Sequence, residues 1–200
     1  MSQEKDPSDT REHVIPGTKK EYTGEDVEGY DFRGDFDLED MIEKYATTGF
    51  QATHLKEAVD IIREMRDEDA KIFLTFTSNI ISSGLREIIA YLAREDFVDV
   101  MITSAGSHTE DIIKSNNKFK MGEWETDEAK LREEGINRLG NIYVESDHYV
   151  WLESWLNEEF FEDFFAEEKI RTPSDLALEL GKAVGKDESL DESDSFLYHA

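Results

Sequence analysis

Between Lys71 and Lys114 the chain alternates apolar, β-prone runs with amphipathic helical stretches, and this alternation restricts the fold more than any other feature. "KIFLTFT" (71–77) reads as a short strand. "GLREIIAYLAR" (84–94) reads as a helix with Leu85, Ile88, Ile89 and Leu92 on one side. "VDVMIT" (98–103) is a second strand-like run, "EDIIK" (110–114) opens a further helix, and "NIYV" (141–144) reads as another strand. Parallel neighbours need a crossover, and crossovers are right-handed. The expected class is therefore α/β, a doubly wound, mainly parallel sheet. Ligands of such sheets sit at the carboxyl ends of the strands.

Two strand exits share one chemistry. The first strand runs into "TSNIISSG" (77–84) and the second into "TSAGSHTED" (103–111). Each offers hydroxyls, small residues that allow close backbone approach, and a following helix whose N-terminal amides favour an anion. Two readings stay open on these residues alone. One is a dinucleotide pyrophosphate with its ribose hydroxyls, Glu110 serving as acceptor for a ribose or an amine. The other is a pair of capped turns that bind nothing, since Ser and Gly make turns anyway. Neither exit has the G-x-G-x-x-G or G-x-x-x-x-G-K-[ST] spacing.

Around this centre the chain is less regular. Residues 1–29 are polar, punctuated by Pro7, Pro16, Gly17, Gly24 and Gly29, and are expected to form a flexible arm. Asp37 is placed to cap a helix with a Leu38, Met41, Ile42, Tyr45 stripe, ended by Gly49. "HLKEAVDIIREMRD" repeats the pattern through Leu55, Ala58, Val59, Ile62 and Met65, and both stripes are expected to face a core. "YVWLESWLNEEFFEDFFAEE" predicts a long helix with an aromatic face given to core or subunit interface.

Composition excludes several functions. Acidic residues number 48 against 22 basic ones, a net charge of -26, so a basic nucleic-acid footprint is missing. The acid is spread along the chain, which suits a surface kept hydrated in concentrated salt. There is no cysteine, no bilayer-length apolar run and no H-E-x-x-H spacing among the five histidines. A cytoplasmic protein without a metal or membrane partner is expected.

"YDF", "TTGFQAT", "FTSNIISSGLREII", "VDVMITSAG", "EDIIK" and "LREEGINRLGN", in this order, resemble the deoxyhypusine synthase family, over residues from about Tyr30 to Ala200. The resemblance implies that residues 30–200 form the N-terminal part of a Rossmann-like NAD-binding domain, in a homo-oligomer, expected to be a tetramer, with sites between subunits. It implies an NAD-dependent transferase that cleaves spermidine and passes its 4-aminobutyl group to a lysine of the translation initiation factor 5A precursor. It places NAD contacts on Ser78, Asn79, Ile80, Ile81, Ser82, Ser104, Ala105, Gly106 and Glu110, with Thr109 and Glu110 toward the amine.

Departures from the family pattern keep other readings open. The usual loop Ala-Gly-Gly-Val-Glu-Glu-Asp is here Ala105, Gly106, Ser107, His108, Thr109, Glu110, Asp111, so Thr109 replaces one of two glutamates facing the amine. That change fits a paralogue acting on another amine, as in homospermidine or agmatine chemistry. His108 either supplies a hydrogen bond there or is a solvent-facing residue of the helix start. "VESDHY" (144–149) likewise alters a family turn. The chain stops at "SDSFLYHA", where Ser195 reads as a cap and Phe196 and Leu197 as core, so an incomplete synthase is expected, its catalytic lysine lying further on. A non-catalytic short subunit is the remaining alternative. Lys114 is expected to be a solvated helix cation, and no lysine here is assigned catalysis.

Overall fold

A computed structural model describes residues 22–200, so most of the arm expected over 1–29 lies outside the described residues. The chain forms two compact units that part between Asp69 and Ala70.

The first unit is a pair of helices, α1 (Leu38–Thr48) and α2 (Phe50–Asp67). Asp37 is extended and its carboxylate accepts the Asp40 amide at 2.9 Å, the expected cap. Gly49 joins the helices at φ 88, a left-handed conformation that favours glycine. Residues 22–29 carry no helix or strand, but Glu28 is tied to α1 through Thr47 and Lys44. The expectation that both apolar stripes face a core is not met. Neither helix buries an apolar side chain, and Leu38, Leu55 and Ile62 are more than half exposed. Two helices meet along one seam and cannot enclose a core alone. Here Lys56 also occupies the seam, bridging Glu43 and Asp60.

The second unit opens with the anticipated alternation: β1 (Phe73–Thr75), α3 (Ser78–Ser82), α4 (Arg86–Arg94), β2 (Val100–Ile102) and α5 (Ala105–Asn116). β1 and β2 are parallel, with Phe73 opposite Val100 and Thr75 opposite Ile102. The α/β class is borne out, with a small parallel sheet. Leu74 and Met101 turn toward the core while Phe73, Val100 and Ile102 are exposed.

The stretch at 141–144 is a strand but not a further parallel one. β3 (Lys120–Met121) leads through α6 (Glu128–Glu133) to β4 (Ile136–Leu139) and β5 (Ile142–Glu145), which form a separate antiparallel sheet in the order β3-β5-β4. Leu139 pairs with Ile142, so Gly140 and Asn141 make a two-residue hairpin, with Gly140 at φ 62. The Gly-Asn pair between two apolar runs carries that signal, and it outweighs the crossover reading.

The aromatic helix starts at Ser146. α7 (Ser146–Trp155) continues through a π-helical turn, Leu156–Phe161, into α8 (Glu162–Phe164). One face is core, as expected: Trp155, Phe160 and Phe164 are buried together with Ile81, Ile112 and Ile113, while Phe165 is exposed. α9 (Pro173–Lys186), begun by a Thr172–Asp175 capping box, and α10 (Phe196–His199) close the unit. Ser195 caps α10 and Phe196 and Leu197 enter the core, both as the sequence indicates.

α9 and α10 touch backbone to backbone. A Cβ on Gly181 would stand 2.1 Å from the Leu197 carbonyl oxygen. Gly181→Ala gains roughly 0.5–1 kcal/mol of helix propensity but meets an overpacking cost of about 1–3 kcal/mol. A net loss of stability is expected in urea denaturation, and an unchanged or raised midpoint would contradict this contact.

Candidate functional site

The pairing of β1 and β2 brings the two small-residue exits side by side. The Phe76 amide donates to the Ile102 carbonyl at 3.2 Å, and the Thr103 hydroxyl donates to the Phe76 carbonyl at 2.8 Å. α3 then packs on α5. Gly106 lies against Ser78, since a Cβ there would stand 3.1 Å from Ser78 Cβ. A side chain at 106 would press on Ser78, so glycine eases the contact between the exits.

The helix expected to open at Glu110 begins at Ala105, because Ser104 already takes the extended N-cap geometry, φ -88 and ψ 158. Ala105 and Gly106 thus lie in the first turn of α5. Ser104 and Ala105 are exposed, and the Ser104 side chain makes no capping hydrogen bond. Ser78 and Ile80 are half-buried at the start of α3 and Asn79 is exposed. Ile81 is wholly in the core, which leaves only its backbone to a ligand. The Thr109 hydroxyl donates to the Gly106 carbonyl at 2.9 Å, so its proton is spent within the helix.

Glu110 is the buried carboxylate that follows the second exit. Its residue is 7% exposed, and its carboxylate Oε2 has no hydrogen-bond partner. Burial raises its pKa above the ordinary carboxylate value, opposed by the Ser82 and Tyr149 hydroxyls and by the Lys114 charge. A buried carboxylate short of donors is poised to accept an ammonium or a hydroxyl from a ligand.

Lys114 is not the solvated cation its polar spacing implies. It is half-buried, and its ammonium donates to the carbonyls of Ile81 at 2.9 Å and Ser83 at 2.7 Å, where α3 ends. A cation satisfies carbonyls that a five-residue helix leaves unpaired. Burial in turn lowers its pKa. His108 is half-buried, its ring 6.2 Å from that of Phe196, and desolvation lowers its pKa against the pull of Asp111. The solvent-facing reading of His108 is therefore replaced by a partly packed one.

Behind the site lies an ion pair that apolar periodicity hides. Arg86 donates through Nε to Asp111 Oδ1 at 2.7 Å and through its terminal nitrogen to Ser115 at 2.8 Å. Asp111 also accepts the Ser195 hydroxyl at 2.6 Å and the Leu197 amide at 3.2 Å. The buried stripe of α4 is consequently Arg86, Ile89, Ala90 and Ala93, while Leu85 and Ile88 of the expected stripe are exposed. An acid beside Glu110 and a base at the start of an apolar helix, 25 residues apart, is the only trace the sequence leaves of this pair.

A cleft of about 870 Å³ beside Trp155, Phe164 and Ala183 is rimmed by acids, but Arg171 already lies 4.2 Å over the Phe164 ring. Among the described residues no three His, Asp or Glu side chains group as a metal would require, and no helix is long and apolar enough to cross a membrane.

The unit is of the α/β class, with two small-residue exits at the carboxyl ends of parallel strands and a buried carboxylate on the helix that follows the second. The family model of deoxyhypusine synthase matches residues 40–200, and the chain belongs to that family. A probable deoxyhypusine synthase of Halobacterium salinarum is 59% identical over 195 residues, covering 98% of this chain and 57% of that protein. One from Pyrococcus abyssi is 40% identical over 189 residues, covering 88% of this chain and 56% of its own length. The chain thus spans little more than half the length of these relatives. The crystal structure of a putative deoxyhypusine synthase from Entamoeba histolytica shares the fold, at a TM-score of 0.59 and 22% identity, over 87% of this chain and 60% of that one.

Proposed function

We propose that this chain is the N-terminal, NAD-binding part of a cytoplasmic deoxyhypusine synthase, residues 30–200 contributing to a doubly wound, Rossmann-like domain of a homo-oligomer, a tetramer by family likeness. The whole protein cleaves spermidine and transfers its 4-aminobutyl group to a lysine of the translation initiation factor 5A precursor. Family membership supports the activity, and the orphaned Oε2 of Glu110 behind the joined exits carries the site.

The residues fit the dinucleotide. Ser78, Asn79, Ile80, Ile81 and Ser82 line one exit and Ser104, Ala105 and Gly106 the other. The start of α5, exposed at Ser104 and Ala105, offers the positive end of a twelve-residue helix, suited to pyrophosphate. Glu110 accepts a ribose hydroxyl or the substrate ammonium. NAD supplies the hydride acceptor for amine oxidation. The protein residues orient and desolvate the reacting ends, where charge-assisted bonds are strongest.

Calorimetric titration with NAD tests the site. Ser104→Ala combined with Glu110→Ala removes a hydroxyl and the carboxylate, and affinity is expected to fall by roughly ten- to hundredfold. Normal affinity in that double variant sinks the assignment.

Thr109 favours a second reading for the amine. Its hydroxyl proton is committed to Gly106, so it brings no anionic partner for an ammonium. A paralogue using another amine, as in homospermidine or agmatine chemistry, accommodates that loss. Under the spermidine reading, Thr109→Glu is expected to raise spermidine affinity roughly tenfold. No change would show that position 109 does not face the amine.

A further inference from the structure

We infer that Lys114 is a positioning residue of the proposed site, its ammonium capping the end of α3 and so fixing the exit segment Ser78–Ser82 against α5. The inference rests on the NAD-site reading above and gives that site a residue that need not touch the ligand.

The first exit can be followed carbonyl by carbonyl. Thr77 receives the Ile80 amide at 3.0 Å, Ser78 the Ser82 hydroxyl at 3.1 Å, Asn79 the Ser83 amide at 3.3 Å and Ile80 the Ser83 hydroxyl at 2.7 Å. All of these donors are local. The chain then turns into α4, and the Leu85 amide goes to the Ser83 hydroxyl rather than to a carbonyl of α3. The carbonyls of Ile81 and Ser83 are met from another element, by the Lys114 ammonium at 2.9 and 2.7 Å, with the Ser82 carbonyl at 3.5 Å. A five-residue helix has few hydrogen bonds of its own, so a donor from outside weighs heavily in its geometry.

Phe119 helps to hold Lys114 in place. The ammonium lies 5.9 Å from the centre of that ring, which itself stacks on His148. Glu110 stands one turn earlier on the same face of α5, a spacing at which carboxylate and ammonium commonly pair. Lys114 reaches across to α3 instead, and Glu110 Oε2 is left without a partner. One side chain thus ties the helix of the second exit to the end of the first and leaves that oxygen for a ligand. A segment fixed beforehand need not be ordered on binding, so the cap supports affinity through preorganisation.

Lys114→Met keeps an unbranched apolar stem against Phe119 and removes the donor. NAD affinity, measured by calorimetry, is expected to fall about tenfold. Amide hydrogen exchange over residues 78–84 is expected to quicken in the free protein and to slow again at saturating NAD. Val184→Ala, on the buried face of α9 and in neither exit, is the control for lost stability. It is expected to lower the urea midpoint and leave NAD affinity unchanged. Lys114→Gln, a shorter and neutral donor, takes the place of the methionine variant if that one does not fold, with a loss of about threefold expected. Native affinity in the Lys114 variant used overturns the role. An equal loss in Val184→Ala overturns it too, because the effect would then be one of stability. Failure of the native chain to bind NAD overturns the functional reading, and this role with it.

Discussion

Asp111→Ala is expected to cost about 3–5 kcal/mol of folding stability, the largest effect of any single replacement argued for this chain. Asp111 is fully buried, and Arg86, its partner at 2.7 Å, is 4% exposed. Removing the carboxylate strands a buried guanidinium and withdraws the acceptor that receives Ser195 and the amides of Phe196 and Leu197. Three elements far apart in sequence lose a common anchor, so the cost exceeds that of one surface pair. Urea denaturation measures it, and a loss below about 1 kcal/mol would mean that water reaches Arg86. Replacing both partners by apolar residues is expected to recover only the part due to the stranded guanidinium, because the Ser195 hydroxyl and the Phe196 and Leu197 amides still lack their acceptor. The network also ties α5, which bears Ala105 to Glu110 and is preceded by Ser104, to α4 and α10. NAD affinity is therefore expected to fall along with stability in Asp111→Ala.

What was legible in the chain follows from the range of each interaction. The β1–α4–β2–α5 alternation, the Asp37 and Ser195 caps and the aromatic core face were readable because each rests on residues within one or two turns of one another. The crossover of 141–144 into the parallel sheet was misjudged although Gly140-Asn141 was present, because apolar runs of four residues do not declare their partner. Stripe-reading also failed on α4. It ranks Arg86 as polar and therefore outward, whereas Asp111 draws Arg86 inside and rotates the helix by one residue. Lys114 failed for a related reason: its partners are backbone carbonyls, which no sequence pattern displays. Of the site, the two exits and Glu110 were legible from residue type and from family likeness. The Arg86–Asp111 pair behind it was not, since its partners lie 25 residues apart and meet only through tertiary packing.

Glu110→Gln is expected to separate stability from binding. Burial raises the folded-state pKa of Glu110 above its unfolded value. Folding therefore favours the protonated form, so the stabilising contribution is fully present below the unfolded pKa of roughly 4.3. It is lost as pH rises through the raised folded pKa, above which the native state holds an underpartnered buried carboxylate. Glutamine keeps the shape and an acceptor oxygen without the charge. The stability difference between Glu110→Gln and the native chain should therefore shift in favour of glutamine with increasing pH, crossing the raised pKa, when both are unfolded in urea from pH 4 to 8. A difference constant with pH would mean that Glu110 is as well solvated folded as unfolded. NAD affinity is expected to move the opposite way, falling by roughly ten- to hundredfold at neutral pH as the charge-assisted bond is lost. A site that gains stability when its central charge is removed, and loses its ligand by the same change, has kept that carboxylate for what it binds.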